Sequence, residues 1–161
     1  MAVPVKIEGT VQIVGKTFRT PRIVIPGIPG AVLYTAGDAF GTKFSFDVPY
    51  AGTIEVAVML DKDDEGIETD LVLFTDDFDG IADNAAFDLS DADLEKFLST
   101  ISFATFKNFG LNQSSTAAAI GLAYIAPQRK LWAQMVTRGG PTIAAGVIPE
   151  VRLTIINAVD S

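Results

Sequence analysis

Hydrophobic and polar residues alternate in short runs along most of the chain, and the alternation is strongest in residues 53–79. One side of an extended chain would carry Ile54, Val56, Val58 and Leu60, and a second apolar run, residues 70–74, follows an acidic loop. A period of two predicts half-buried β-strands. Two such runs around a polar, glycine-containing loop predict an antiparallel hairpin, and further strands must cover its exposed apolar face.

The same alternation recurs on both sides of this stretch. Phe44, Phe46 and Val48 fall on one face of a predicted strand, and later apolar runs occupy residues 103–106, 117–126, 131–137 and 151–156. Alanine-rich residues 115–123 would also suit a helix, but we interpret them as a buried strand. Short strands roughly ten residues apart, separated by Gly and Pro, indicate an all-β fold: an antiparallel β-sandwich, jelly-roll-like.

One short helix is predicted near residues 91–99. Ser90 has the residue type of an N-cap, and Asp91 and Asp93 would lie near the positive end of the helix dipole. The apolar residues that follow have helical spacing: Leu94, Phe97, Leu98 and Ile101. We expect about two to three turns of helix, covering one open end of the sandwich.

Residues 1–30 differ from the rest of the chain. They alternate first, in Val5, Ile7, Val11 and Ile13, and then become rich in proline and glycine. Because proline lacks a backbone donor, this segment should lie at a sheet edge or leave the sandwich as an extended N-terminal arm. An ordinary irregular loop is the alternative. The predicted organisation is an N-terminal strand and attachment arm at 1–30 and a single β-sandwich domain at 31–161.

Composition narrows the possible chemistry. The 161 residues are enough for one domain with a sizeable core, and they include no cysteine and no histidine. Disulfides, thiol nucleophiles, histidine bases and the commonest metal ligands are therefore excluded. We predict a protein that is not an enzyme, with no catalytic residue, cofactor or metal. No apolar run suggests a membrane segment or a signal peptide, so we expect synthesis in a cytoplasm and no membrane contact.

The net charge of −8 is unevenly distributed. Residues 61–95 hold fourteen of the twenty acids and one lysine, whereas residues 1–30 carry a net charge of +3. A field of this sign repels phosphates, which argues against a nucleic-acid partner. The acidic stretch should face solvent.

Local motifs support no catalytic or metal site. Residues 61–66 resemble the start of a calcium loop, but the twelfth position is Val72 where a bidentate Glu is needed. The second acidic cluster, residues 76–80, is equally weak. Trp132 lies in an apolar run, which favours a core position over a sugar platform.

Several strings of the sequence, taken together, resemble a family of small structural proteins of tailed-phage virions. They are residues 34–38 (YTAGD), 60–64 (LDKDD), 70–74 (DLVLF), 81–87 (IADNAAF), 90–93 (SDAD), 131–132 (LW) and 151–154 (VRLT). The resemblance begins near Tyr34 and covers roughly four-fifths of the chain. It implies a capsid decoration, or cement, protein of jelly-roll type that binds the major capsid protein on the outer surface of a phage head and stabilises it.

The resemblance and the charge distribution together suggest how such a protein would attach. We expect a homotrimer on the capsid surface of the virion, with its acidic face outward and its basic N-terminal part on the shell. The candidate capsid-contact residues are Val5, Ile7, Val11, Ile13, Arg19 and Arg22. The alternative is a receptor- or glycan-binding β-sandwich module of a tail or head fibre, although the chain has none of the repeats that usually accompany fibres.

Overall fold

The structure, a computed structural model, describes residues 15–157, and nearly all of its regular elements are strands. In chain order they are β1 (Lys16–Arg19), β2 (Ile23–Val24), β3 (Val32–Leu33), β4 (Ala39–Asp47), β5 (Ala51–Asp61), β6 (Thr69–Phe74), α1 (Asp91–Leu94), β7 (Phe97–Phe103), β8 (Phe106–Asn108), β9 (Gln113–Ile125), β10 (Lys130–Thr137), β11 (Thr142–Ile143) and β12 (Glu150–Asn157).

Two antiparallel sheets account for most of these strands. Sheet 1 has the order β1-β12-β5-β9-β8, with β2 also paired to β12, and sheet 2 has the order β4-β10-β6-β7. A small third sheet joins β3 to β11. The predicted all-β sandwich is therefore confirmed. The alanine-rich run 115–123 is strand, as expected, but it is not the buried strand predicted, since only Ser115 of the run is buried.

The core lies between the two sheets. Sheet 2 contributes Phe46, Leu73 and Leu131, sheet 1 contributes Leu153 and Ile155, and all five are fully buried in one cluster. The predicted face of β4 is confirmed, since Phe44, Phe46 and Val48 are all buried. Burying alternate residues of both sheets against each other supplies the main driving force for this arrangement.

The predicted hairpin of residues 53–79 is wrong. β5 pairs with β12 and β9 in sheet 1, whereas β6 pairs with β10 and β7 in sheet 2. The physical reason is that β6 is apolar on both faces: Leu71 and Leu73 face the main core, and Val72 and Phe74 face a second apolar cluster. In sheet 2 the inner face of β6 packs toward sheet 1 and its outer face packs against Phe78, Phe87 and Leu89, and a place beside β5 in sheet 1 would not provide this cover.

The predicted burial of one side of β5 is also wrong. A register shift at Glu55 changes which side chains face the core. Ile54, Ala57 and Met59 are buried, whereas Val56, Val58 and Leu60 lie on the outer face of sheet 1 and are only partly buried. A β-bulge of this kind breaks the simple period of two.

The helix is shorter than predicted. Ser90 caps it as expected, but α1 ends at Leu94 and β7 begins at Phe97. Residues 97–101 belong to β7 because Phe97 pairs with Phe74, and Ile101 is buried in the core. Tertiary pairing here overrides the helical spacing of the apolar residues.

From residue 16 onward, the segment predicted as a strand or an arm forms strands of the sandwich, with β1 at the edge of sheet 1. β1 and β2 pair with β12, and Ile25 is fully buried in the core. Thr20 is also buried, and its hydroxyl accepts a 3.0 Å hydrogen bond from the Leu153 amide. Residues 16–30 therefore contribute strands to sheet 1 and Ile25 to the core. Within residues 15–157, no helix has the length and hydrophobicity needed to cross a membrane.

Candidate interaction surfaces

The outer face of sheet 2 is covered by residues 75–96, called here the acidic cover. Phe78, Phe87 and Leu89 of this segment pack on Val72, Phe74, Val136 and Trp132 of the sheet. Phe74 and Phe78 stack with ring centroids 3.9 Å apart. The cover holds eight acids and one lysine, so it places a net charge of −7 on this side of the molecule.

Gln134 attaches the acidic cover to sheet 2. Its side chain is fully buried, and its Oε1 accepts from the amide of Ile81 at 2.9 Å. Its Nε2 donates to the carbonyl oxygens of Ile81 at 2.6 Å and of Gly41 at 3.0 Å. Two backbone groups of Ile81, and one of Gly41 in the stretch of β4 without a registered partner on β10, are thereby satisfied.

Two carboxylates of the acidic cover also serve its structure. Asp83 Oδ1 accepts from the Tyr34 hydroxyl at 2.8 Å and from the Gly41 amide at 2.7 Å. Burial, together with this hydrogen bond, raises the pKa of Tyr34. Lys96 Nζ donates to Asp93 Oδ1 at 2.9 Å, which lowers the pKa of Asp93 and raises that of Lys96.

The acidic loop after β5 is held by its own carboxylates. Asp61 is buried and accepts from the amides of Asp63 and Gly66, both at 2.9 Å. Asp64 accepts from Asn108 Nδ2 at 2.8 Å, so this loop is tied to the β8–β9 connection. Among residues 15–157, no three Asp or Glu side chains are grouped as a metal ion would require.

Trp132 lies beneath the acidic cover, in the apolar cluster on the outer face of sheet 2. The ammonium of Lys43 is 5.4 Å from its ring centroid. Trp132 is packed and only partly buried, so the predicted core position is met in part.

The structure describes two of the six predicted contact residues, Arg19 and Arg22. Val5, Ile7, Val11 and Ile13 lie outside the described residues. Arg19 and Arg22 are exposed at the end of sheet 1 formed by β1 and β2. An open cleft of about 400 Å³ adjoins β1 and is lined by Phe18, Asp47, Val48, Pro49, Gln128, Arg129 and Asn157.

The outer face of sheet 1 is a second candidate surface, called here the open face. Its central strand β5 presents Val56, Val58 and Leu60 outward. Register places Thr154 and Ala118 beside Val56, and Arg152 and Thr116 beside Val58. Arg19 is aligned with Thr154 at the β1 edge.

The charge of the open face is opposite to that of the acidic cover. Arg19, Lys107 and Arg152 occupy outward positions, and Lys62 and Arg22 contact the carboxylate of Glu150. With Glu55 in the bulge, these named residues are five basic and two acidic, a net charge of +3 that does not include the acidic loop 63–68 after β5. The outward strand positions of sheet 1 therefore carry more basic than acidic residues, in contrast to the acidic cover.

The sequence reasoning missed the open face, although a signal for it existed. Residues 56–60, VAVML, are continuously apolar, which is typical of a strand with both faces covered. Simple alternation instead puts Val56, Val58 and Leu60 on one face with Ile54, because it does not reveal the bulge at Glu55.

Comparison of the chain with protein-family models, with curated proteins and with solved structures finds no match. The surfaces themselves therefore provide the grounds for assigning a function.

Proposed function

We propose that this protein is a capsid decoration protein of a tailed-phage head, with no catalytic role. The strand pairing is the observation that carries the proposal. Counting the long strands of the sandwich from β1, the first pairs with the last (β1–β12), the second with the second-last (β4–β10), the third with β9 (β5–β9), and the middle two with each other (β6–β7). This order supports a jelly-roll arrangement, an architecture common in viral capsid domains.

Jelly rolls also occur in lectins and enzymes, so the fold alone does not decide the function. The resemblance of the sequence to virion structural proteins favours a virion protein over a lectin or an enzyme. Burial of Trp132 beneath the acidic cover removes the one large aromatic platform that a glycan site on sheet 2 would use. Both observations favour decoration over the fibre module.

The difference in charge between the two sides of the sandwich supports a definite orientation on the capsid. The −7 cover is costly to bring against a like-charged surface, so it faces solvent. The basic side, with Arg19 and Arg22 at its β1 edge, faces the major capsid protein. Residues 1–14 extend this attachment, and three copies form a homotrimer whose weak contacts add by avidity.

The experiment is to mix purified protein with undecorated heads of the virus that encodes it and to measure the bound copies by quantitative mass spectrometry. Decoration predicts a copy number comparable with that of the major capsid protein and heads that resist heat better. A handful of copies for each particle would favour the fibre module, and no binding would refute decoration.

Two variants separate the parts of the proposal. Removing residues 1–14 should weaken binding without unfolding the domain, whereas a deletion past residue 15 would also remove β1 and its pairing with β12. Light scattering should give the mass of a trimer for the full chain. A monomer at working concentration would contradict the trimer alone.

A further inference from the structure

The outward side of β5 is more apolar than an open sheet face requires. In an antiparallel sheet with one face in water, the outward positions are normally polar. Here the central strand places Val56, Val58 and Leu60 outward in succession. None of the three belongs to either buried cluster of the described residues, so their burial adds little to the fold.

The open face is flat on the β9 side of this apolar stripe, where the outward residues are small: Ser114, Thr116 and Ala118. On the β12 side the small Thr154 is joined by the charged Glu150 and Arg152. A flat face with an aliphatic centre can bury a large area with few side chains to order, which lowers the entropic cost of binding. Apolar centres with polar rims are the usual anatomy of protein interfaces.

The rim of the face defines the charge of its partner. Arg19 and Arg152 lie on one side of the stripe, and Lys107 lies beyond β9 on the other. Glu150 is held by Lys62 and lies 4.0 Å from Arg22, which leaves the rim net positive. A second copy bound through the same face would bring two net positive rims together, so a symmetric dimer through this surface is disfavoured.

We infer that the open face is the docking surface for an acidic protein surface with an apolar centre, and that Val56, Val58, Arg19 and Arg152 determine this contact. The inference rests on the proposed function, and it assigns the acidic surface to the shell protein. Electrostatic attraction sets the rate of encounter, and the apolar stripe sets the lifetime of the complex.

The test uses the full chain and undecorated heads, and it compares two variants of the face with a control of equal charge. Arg19→Gln with Arg152→Gln lowers the net charge by two on the open face. Ala82→Glu with Ala86→Glu lowers it by the same amount on the acidic cover, at two exposed positions. Val56→Thr with Val58→Thr keeps β-branched side chains of similar size and removes only the apolar character.

The arginine variant should bind about tenfold more weakly at low salt, mainly through slower association, and its affinity should depend less on salt. The threonine variant should dissociate faster, and the Ala82/Ala86 control should bind like the unaltered protein. All three should melt within about 2 °C of it, because no buried group is changed.

The outcomes distinguish this inference from the proposed function. If the unaltered protein does not bind heads, the function itself fails. If it binds and both face variants bind equally well, decoration stands and the open face is not the contact. Loss of binding after nuclease treatment, or a dimer that the threonine variant dissolves without affecting head binding, would also overturn the inference.

Discussion

Replacing Gln134 with leucine should loosen the acidic cover while the two-sheet core stays intact. Leucine fills a similar space but offers neither a donor nor an acceptor. The Ile81 amide, the Ile81 carbonyl and the Gly41 carbonyl would each lose the partner that Gln134 provides.

The expected cost follows from these three groups. An unsatisfied buried backbone group costs about 1–3 kcal/mol, and a cover segment at the surface can recover part of this by admitting water. We therefore expect a loss of about 3 kcal/mol in the free energy of unfolding. For a chain of this size that corresponds to a fall of about 6–12 °C in Tm.

Calorimetry gives the change in Tm, and hydrogen exchange shows where it originates. Amides of residues 75–96 should exchange faster, while those of β5 and β12 in sheet 1 should keep their protection relative to global unfolding. Gln128→Leu is the matched control, because the same change at an exposed turn should cost less than about 0.5 kcal/mol. A Tm for Gln134→Leu equal to that of the control would refute the role given to this side chain.

Three further predictions concern single groups. Ser90→Ala should lower the free energy of unfolding in denaturant by about 1 kcal/mol, because the Ser90 hydroxyl accepts a 3.2 Å hydrogen bond from the Asp93 amide. An unchanged midpoint would contradict the cap. The lowered pKa of Asp93 means that its contribution to stability is complete above its ordinary value of 3.8 and is lost as the pH falls through the folded value. The raised pKa of Lys96 makes its contribution to stability complete below 10.5 and lost as the pH rises through the folded value. Because the acid limb of a Tm–pH profile depends on Asp93, Asp93→Asn should flatten that limb, and an unchanged acid limb would count against the ion pair. Tyr124→Phe should leave stability unchanged or slightly raised, since burial lifts the pKa of Tyr124 to about 12 and its hydroxyl has no hydrogen-bond partner among the described residues; a clear fall in Tm would show that it has one.

Alternation along the chain was enough to predict strands, the buried face of β4 and the fold class. These features depend on local periodicity, which each segment carries in its own sequence. The N-cap at Ser90 was equally accessible, because a short side chain before an acidic turn has a local function.

The assignment of strands to sheets could not be obtained in this way. Periodicity says which residues share a face, but it does not say which strand lies alongside. β5 and β6 are adjacent in sequence and lie in different sheets because β6 needs cover on both faces. Such long-range pairing is decided by the whole core.

The β-bulge at Glu55 caused the second wrong prediction, which concerned the buried side of β5. Glu55 shifts β5 by one position, and the facing part of β9 contains Ala119 and Gly121, both with positive φ, at 53° and 64°. A non-glycine residue in the left-handed region has no reliable sequence signal. One extra residue was enough to turn Val56, Val58 and Leu60 from predicted core to the open face.

The most direct test of the central claim is a cryo-electron microscopy reconstruction of heads reassembled with the purified protein. We predict density for the β-sandwich on the outer surface of the shell, with β5 and β12 of the open face against the major capsid protein and residues 75–96 toward solvent. Heads whose shell carries no such density, or sandwiches bound with the acidic cover against the shell, would contradict it.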